Sequence, residues 1–160
     1  NTGGTGGGNN SSSSGTSLAN QNAVDKARSY LSTSLAFSYQ GLVDQLIFEG
    51  FTAEEAAYGA SNVGANWDEQ ALKSAKNYLA TSMAFSYQGL KDQLLFEGFT
   101  DSQASYGVNN CGANWNEQAA KSAKSYLSFM SFSRQGLIDQ LIFEGFTQDQ
   151  AVYGVNAAGL

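Results

Sequence analysis

The chain has 160 residues, of which 42% are hydrophobic and 12% aromatic, enough for one ordinary packed domain or a few very small ones. Fourteen acidic against eight basic side chains give a net charge of −6, which argues against non-specific binding to nucleic acid or an anionic membrane surface and favours a basic partner. Histidine and proline are absent and cysteine occurs once, which excludes an intrachain disulfide framework and a cysteine-based metal cluster and leaves helix ends to caps and glycines.

Residues 1–16, NTGGTGGGNNSSSSGT, carry no charge and no apolar content able to offset ordering entropy. They predict a disordered Gly/Ser/Asn-rich linker over 1–20, read as a tether with a reach of about 20–25 Å for sixteen coil residues. Neither a signal peptide nor a lipid-accepting cysteine stands in this stretch, so an anchor is expected upstream of Asn1.

The remainder repeats. QGLVDQLIFEGFT at 40–52 returns as QGLKDQLLFEGFT at 88–100 and as QGLIDQLIFEGFT at 135–147. Three units follow, 21–64, 65–112 and 113–160, each predicted as three short helices. The first helix is clearest in unit two: Asn66 caps it, Glu69 completes a capping-box pattern, and Ala71, Leu72, Ala75, Tyr78 and Leu79 share one face. Asn114 and Glu117 repeat the cap in unit three. The second helix opens at Ser38, Ser86 or Ser133 and stops at Gly50, Gly98 or Gly145, where glycine suits the left-handed position after a helix. The third opens two residues later, at Thr52 with Glu55, Thr100 with Gln103, and Thr147 with Gln150. In unit two its buried stripe is Ala104, Gly107, Val108 and Cys111. FEGFT is therefore a stop signal, a hydrophobic plug and a start signal, and the bend is a helix-turn-helix corner.

Gly41 and Gly59, with their copies, cost roughly 1 kcal/mol each inside a helix relative to alanine, which predicts close approach of a neighbouring helix. Gln45, Gln93 and Gln140 are expected to satisfy backbone groups near the corner. One residue separates Gly64 from Asn66 and Gly112 from Asn114, too few for independently tumbling beads. Trp67 and Trp115 stand at these joints and read as wedges between neighbours; Ala19 occupies the matching place before unit one. The expected fold is all-α: three tandem three-helix modules stacked as a semi-rigid rod.

The residues offer little for catalysis. No histidine can activate a serine or the cysteine, and Cys111 matches the apolar Val63 and Ala158 of the other units, so it reads as a small core residue. The pairs Glu54–Glu55 and Asp68–Glu69 lie in first helical turns, where negative charge suits the helix dipole. No calcium loop or phosphate-binding glycine loop is present, and no catalytic, metal or cofactor residue is expected. The corner invites a DNA-binding reading, but the third helices begin TAEEAAYGA, TDSQASYGV and TQDQAVYGV, with acids and no base.

The run A-x-x-x-A-x-x-YL, then FS-x-QGL-x-DQL-x-FEGFT, then A-x-YG and a joint tryptophan resembles the host cell surface-exposed lipoprotein (Ltp) repeat, over nearly all of 21–160. Ala19 departs from it at the first tryptophan. The resemblance implies a lipid-anchored protein outside a Gram-positive cell, with no enzymatic residues to carry over. It also implies superinfection exclusion, in which an incoming related phage is kept from passing its DNA into the cell. On that reading the chain is a monomeric protein-binding module whose partner is a basic segment of a phage tail or injected protein, with no nucleic acid and with membrane contact only through the anchor. Candidate contacts are Asp44, Asp92 and Asp139, Glu49, Glu97 and Glu144, with Tyr39 and Tyr87; a row of carboxylates would steer a basic partner, and three weak copies would act together. The same acids equally suit an ordinary solvated face. Two alternatives stand beside this: a cell-wall or glycan-binding module, with Tyr39 and Tyr87 stacking on sugars and Arg134 replacing the third, and a plain surface spacer.

Overall fold

The computed structural model describes residues 16–160. The expected tether lies outside the described residues except at its end, and there a correction is needed. Ser17 caps the first helix by accepting from the Asn20 amide, so Leu18–Asn20 are helical and the first module begins three residues earlier than the apolar pattern implied.

Among the described residues the secondary structure is nine α-helices, three per module. Module one holds α1 (Leu18–Leu31), α2 (Tyr39–Phe48) and α3 (Ala53–Asn62). Module two holds α4 (Trp67–Leu79), α5 (Tyr87–Phe96) and α6 (Asp101–Asn110). Module three holds α7 (Trp115–Phe129), α8 (Arg134–Phe143) and α9 (Gln148–Ala157).

Short-range chemistry sets the bends. Gly50, Gly98 and Gly145 have φ of 101°, 96° and 99°, a region that costs an L side chain about 1–2 kcal/mol. At the first of these the Gly50 amide bonds the Ile47 carbonyl (2.9 Å) and the Phe51 amide bonds the Leu46 carbonyl (3.2 Å), closing the helix end as a Schellman motif. Thr52, Thr100 and Thr147 then open the next helix with complete reciprocal capping boxes. Asn66 and Asn114 cap α4 and α7, but the box expected with Glu69 is only half made: Glu69 accepts from the Tyr106 hydroxyl (2.8 Å) instead of reaching back to its cap.

Each module has its own core. In module two it is Ala71, Ala75, Leu90, Leu94, Phe99, Ala104 and Val108, all buried. Small residues let its first and third helices touch backbone to backbone. A Cβ added to Gly107 would stand 2.7 Å from the Ala71 carbonyl oxygen, and the same holds at Gly59 against Ala23 (2.8 Å) and Gly154 against Ala119 (2.6 Å to the carbonyl carbon). The expectation of close approach is met at these three. At Gly41 the approach is looser: a Cβ there would press first on the hydroxyl of its own cap, Ser38 (3.1 Å), with the Glu97 carbonyl at the end of α5 only at ordinary contact distance (3.8 Å).

The modules are joined by a recurring set of contacts. Trp67 and Trp115 pack on the core of the preceding module, edge to face with Tyr39 (centroids 5.6 Å) and Tyr87 (5.7 Å). The Ser38 hydroxyl donates to the Glu97 carbonyl (2.5 Å) and the Ser86 hydroxyl to the Glu144 carbonyl (2.6 Å). Gln70 accepts from the Phe37 amide (3.1 Å), as Gln118 does from the Phe85 amide (3.0 Å). Backbone groups that the loops between first and second helices would otherwise leave bare are thus satisfied by the next module, which ties neighbours together.

Candidate functional site

The six acidic candidate contacts divide into two sets. Asp44, Asp92 and Asp139 are exposed, on the outer side of α2, α5 and α8. Each accepts from a glutamine one turn earlier, Gln40, Gln88 or Gln135, at 2.7–2.8 Å. That bond engages one carboxylate oxygen and holds the acid in place on the helix surface.

Glu49, Glu97 and Glu144 are placed differently. Each accepts a short hydrogen bond from a tyrosine of its own module's first helix, Tyr30, Tyr78 or Tyr126. Glu97 also accepts from the buried Ser74 hydroxyl (2.8 Å) and Glu144 from the buried Ser122 hydroxyl (3.0 Å), so these two are half-buried, and the sequence-based expectation of a freely exposed row is corrected for them. Glu49 stays exposed and pairs with Lys26 (3.3 Å), which stands where the other modules have serine. The Tyr30 bond and Lys26 hold the Glu49 carboxyl below the usual carboxylate range. The glutamate bond raises the phenols of Tyr30 and Tyr126, and burial followed by the glutamate bond raises Tyr78.

Gln45, Gln93 and Gln140 complete this arrangement by donating to the same tyrosine hydroxyls at 3.1 Å. The expected backbone partners are therefore replaced by a side-chain network. Sequence spacing gave no sign of it, because the tyrosine and glutamate lie 18–19 residues apart.

Tyr39 and Tyr87 are half-buried at the joints. Besides their tryptophan contacts, Tyr39 bonds Ser61 (3.0 Å) and Tyr87 bonds Asn109 (2.9 Å). Arg134, at the same position in module three, donates to Asn156 and to the Leu160 carbonyl, both at 2.5 Å. Tyr39 and Tyr87 thus hold modules together and are not free aromatic faces, whereas Arg134 bonds only within module three.

A groove recurs at each joint. Between modules two and three it encloses about 660 Å³ beside Met83, Phe85, Tyr126, Phe129 and Glu144; between modules one and two it encloses about 220 Å³ beside Leu35, Ala36, Tyr78, Thr81 and Glu97. The ionised groups on the larger one are already engaged: Glu144 as above, and the Lys121 ammonium with the carbonyls of Thr81 and Met83 at 2.8 Å. Among the described residues no group of three or more acidic or cysteine side chains is gathered to hold a metal ion, and no helix is long and apolar enough to cross a membrane.

One surface feature escaped the sequence reading. Phe48, Phe96 and Phe143 end the second helices and are each 86% exposed. The signal was present: each lies four residues after Asp44, Asp92 or Asp139, on the acid's face of the helix, while Leu42 and Leu46 define the buried face.

A family model described as host cell surface-exposed lipoprotein matches the chain three times, over residues 19–63, 66–111 and 114–157. No curated protein and no solved structure matches it.

Proposed function

The chain belongs to the host cell surface-exposed lipoprotein family, and from that premise we propose that it is a non-enzymatic protein-binding module, lipid-anchored on the outer face of a Gram-positive cell membrane. Its role is superinfection exclusion: it occupies a basic segment of a phage tail or injected protein and so obstructs the passage of phage DNA. The observation that carries this reading is the triplicate exposed acid, Asp44, Asp92 and Asp139, on modules joined by the same hydrogen bonds twice. Fixed spacing turns three weak contacts into one stronger attachment, since the second and third contacts form at high effective concentration. The negative face also speeds encounter with a basic partner. A glycan-binding role is less well supported, because Tyr39 and Tyr87 spend their rings on Trp67 and Trp115.

The test is a challenge of cells displaying the anchored protein with related phages, following adsorption and DNA delivery separately. Normal adsorption with blocked delivery is the expected result. Unchanged delivery would leave the chain a surface spacer.

A further inference from the structure

We propose that Phe48, Phe96 and Phe143, each with the aspartate one turn before it, form a repeated docking surface for an amphipathic basic helix of the partner. This deepens the protein-binding reading above and rests on it.

Three observations converge. First, these phenylalanines belong to none of the three cores and stand 86% exposed, beside Ile47, Leu95 and Ile142 at 43%, 37% and 39%. Isolated exposed apolar residues are ordinary, but here a large aromatic and an aliphatic neighbour are exposed together on every module. Second, the copies of the repeat differ at other exposed positions. Exposed positions at the start of the third helices read Ala53, Asp101 and Gln148, then Glu54, Ser102 and Asp149. Asp44 and Phe48 are the same residues in all three copies, although neither packs in a core. Third, the charge is complementary to one kind of occupant. Each apolar knob has a carboxylate one helical turn away, on a chain of net charge −6.

The spacing selects a helix as that occupant. Residues four apart on α2 lie about 6 Å from each other, and so do an apolar and a basic residue four apart on a partner helix. A leucine or phenylalanine of the partner can therefore cover Phe48 while a lysine or arginine one turn along reaches the free oxygen of Asp44, and the pattern is offered again by the next module. Such an apolar face laid on an apolar strip, with charged flanks, is a general mode of helix recognition.

The probe is a synthetic peptide of roughly eighteen lysine and leucine residues, about five helical turns, arranged with one apolar face. Its controls are the same composition in scrambled order and a glutamate–leucine version. Binding to residues 1–160 is followed by calorimetry. The amphipathic basic peptide is expected to bind at least tenfold more tightly than either control. F48S/F96S/F143S should weaken it on the order of 100-fold and F96S alone about tenfold, with the melting temperature unchanged because the side chains are exposed. D44N/D92N/D139N should weaken it less and flatten its salt dependence. Equal binding by the triple phenylalanine variant, or equal binding of the scrambled peptide, overturns the proposal. In the phage challenge, protection by wild type but equally by F48S/F96S/F143S overturns this docking surface and leaves the exclusion role standing; absence of protection by wild type overturns the exclusion role instead.

Discussion

The upstream face of module one and the upstream faces of modules two and three begin from the same repeat and end differently. Trp67, Gln70, Lys73 and Asn77 reach back from α4 to Tyr39, the Phe37 amide and the carbonyls of Thr33 and Ser34. Trp115, Gln118 and Lys121 do the same from α7. The matching residues of α1 are Ala19, Asn22, Asp25 and Ser29, and Asp25 turns to its own helix, pairing with Arg28 (2.8 Å). Gly98 and Gly145 abut the cap serine of the preceding module, while Gly50 has no described atom within 4 Å of where its Cβ would stand. Leu42, Leu46 and Ala56 keep the same identity in all three cores, while other interior positions vary, as at Val43, Lys91 and Ile138 or Ala60, Val108 and Val155; the gripping residues of α4 and α7 have no counterpart in α1. Interior packing is a requirement of each module alone, and joint chemistry is a requirement of the pair.

That contrast can be broken first where all modules agree. Gly107→Ala pushes a methyl into the Ala71 backbone and should cost about 3 kcal/mol, read by denaturant unfolding. Trp115→Ala should cost about 2 kcal/mol, because it removes a half-buried wedge from the core of module two, whereas Ala19→Trp should change stability by less than about 0.5 kcal/mol. Ser86→Ala loses a cap and a joint bond, an expected total of about 2 kcal/mol; Ser133→Ala, whose serine caps α8 without any joint partner, should lose only about 1 kcal/mol. The difference between these serine variants measures the joint bond. The smallest effect concerns module one's exposed ion pair: Lys26→Ser, which recreates the arrangement of the other modules, should alter stability by no more than about 0.5 kcal/mol.

Titration sharpens the comparison further. The phenols of Tyr30, Tyr78 and Tyr126 are raised in the folded chain, so their contribution is complete below the ordinary tyrosine value of about 10 and is lost as pH rises through the raised values. Glu49 is lowered, so its contribution is present above the ordinary carboxylate range and is lost as pH falls through the lowered value. Thermal melts should therefore weaken above about pH 10 in a manner that Tyr78→Phe with Tyr126→Phe reduces.

The corners and caps were legible because they depend on residues within five positions of each other. Gly50 with Thr52, and the serines before each second helix, could be read from spacing alone. The start of α1 is not legible from the pattern because the turn that Ser17 caps, Leu18–Asn20, buries no side chain; the apolar face begins only at Ala23. Spacing alone places the glutamates on the surface, because nothing local announces that Tyr78 and Ser74 will close over Glu97. Phe96 is hidden for the opposite reason: an aromatic in an apolar run suggests a core, and only its angle around the helix, shared with Asp92, places it outside.

By itself, the sequence determined that this chain is all-helical and threefold repeated, because caps, glycines and helical periodicity act over one or two turns of backbone. Tertiary structure alone decided which acids remain available, which aromatics join modules and which stand bare, because those outcomes depend on groups brought together across 18 to 59 residues of chain. Over such separations the cost of closing a loop is repaid only by the complete set of contacts in a folded module, so no short segment carries the answer.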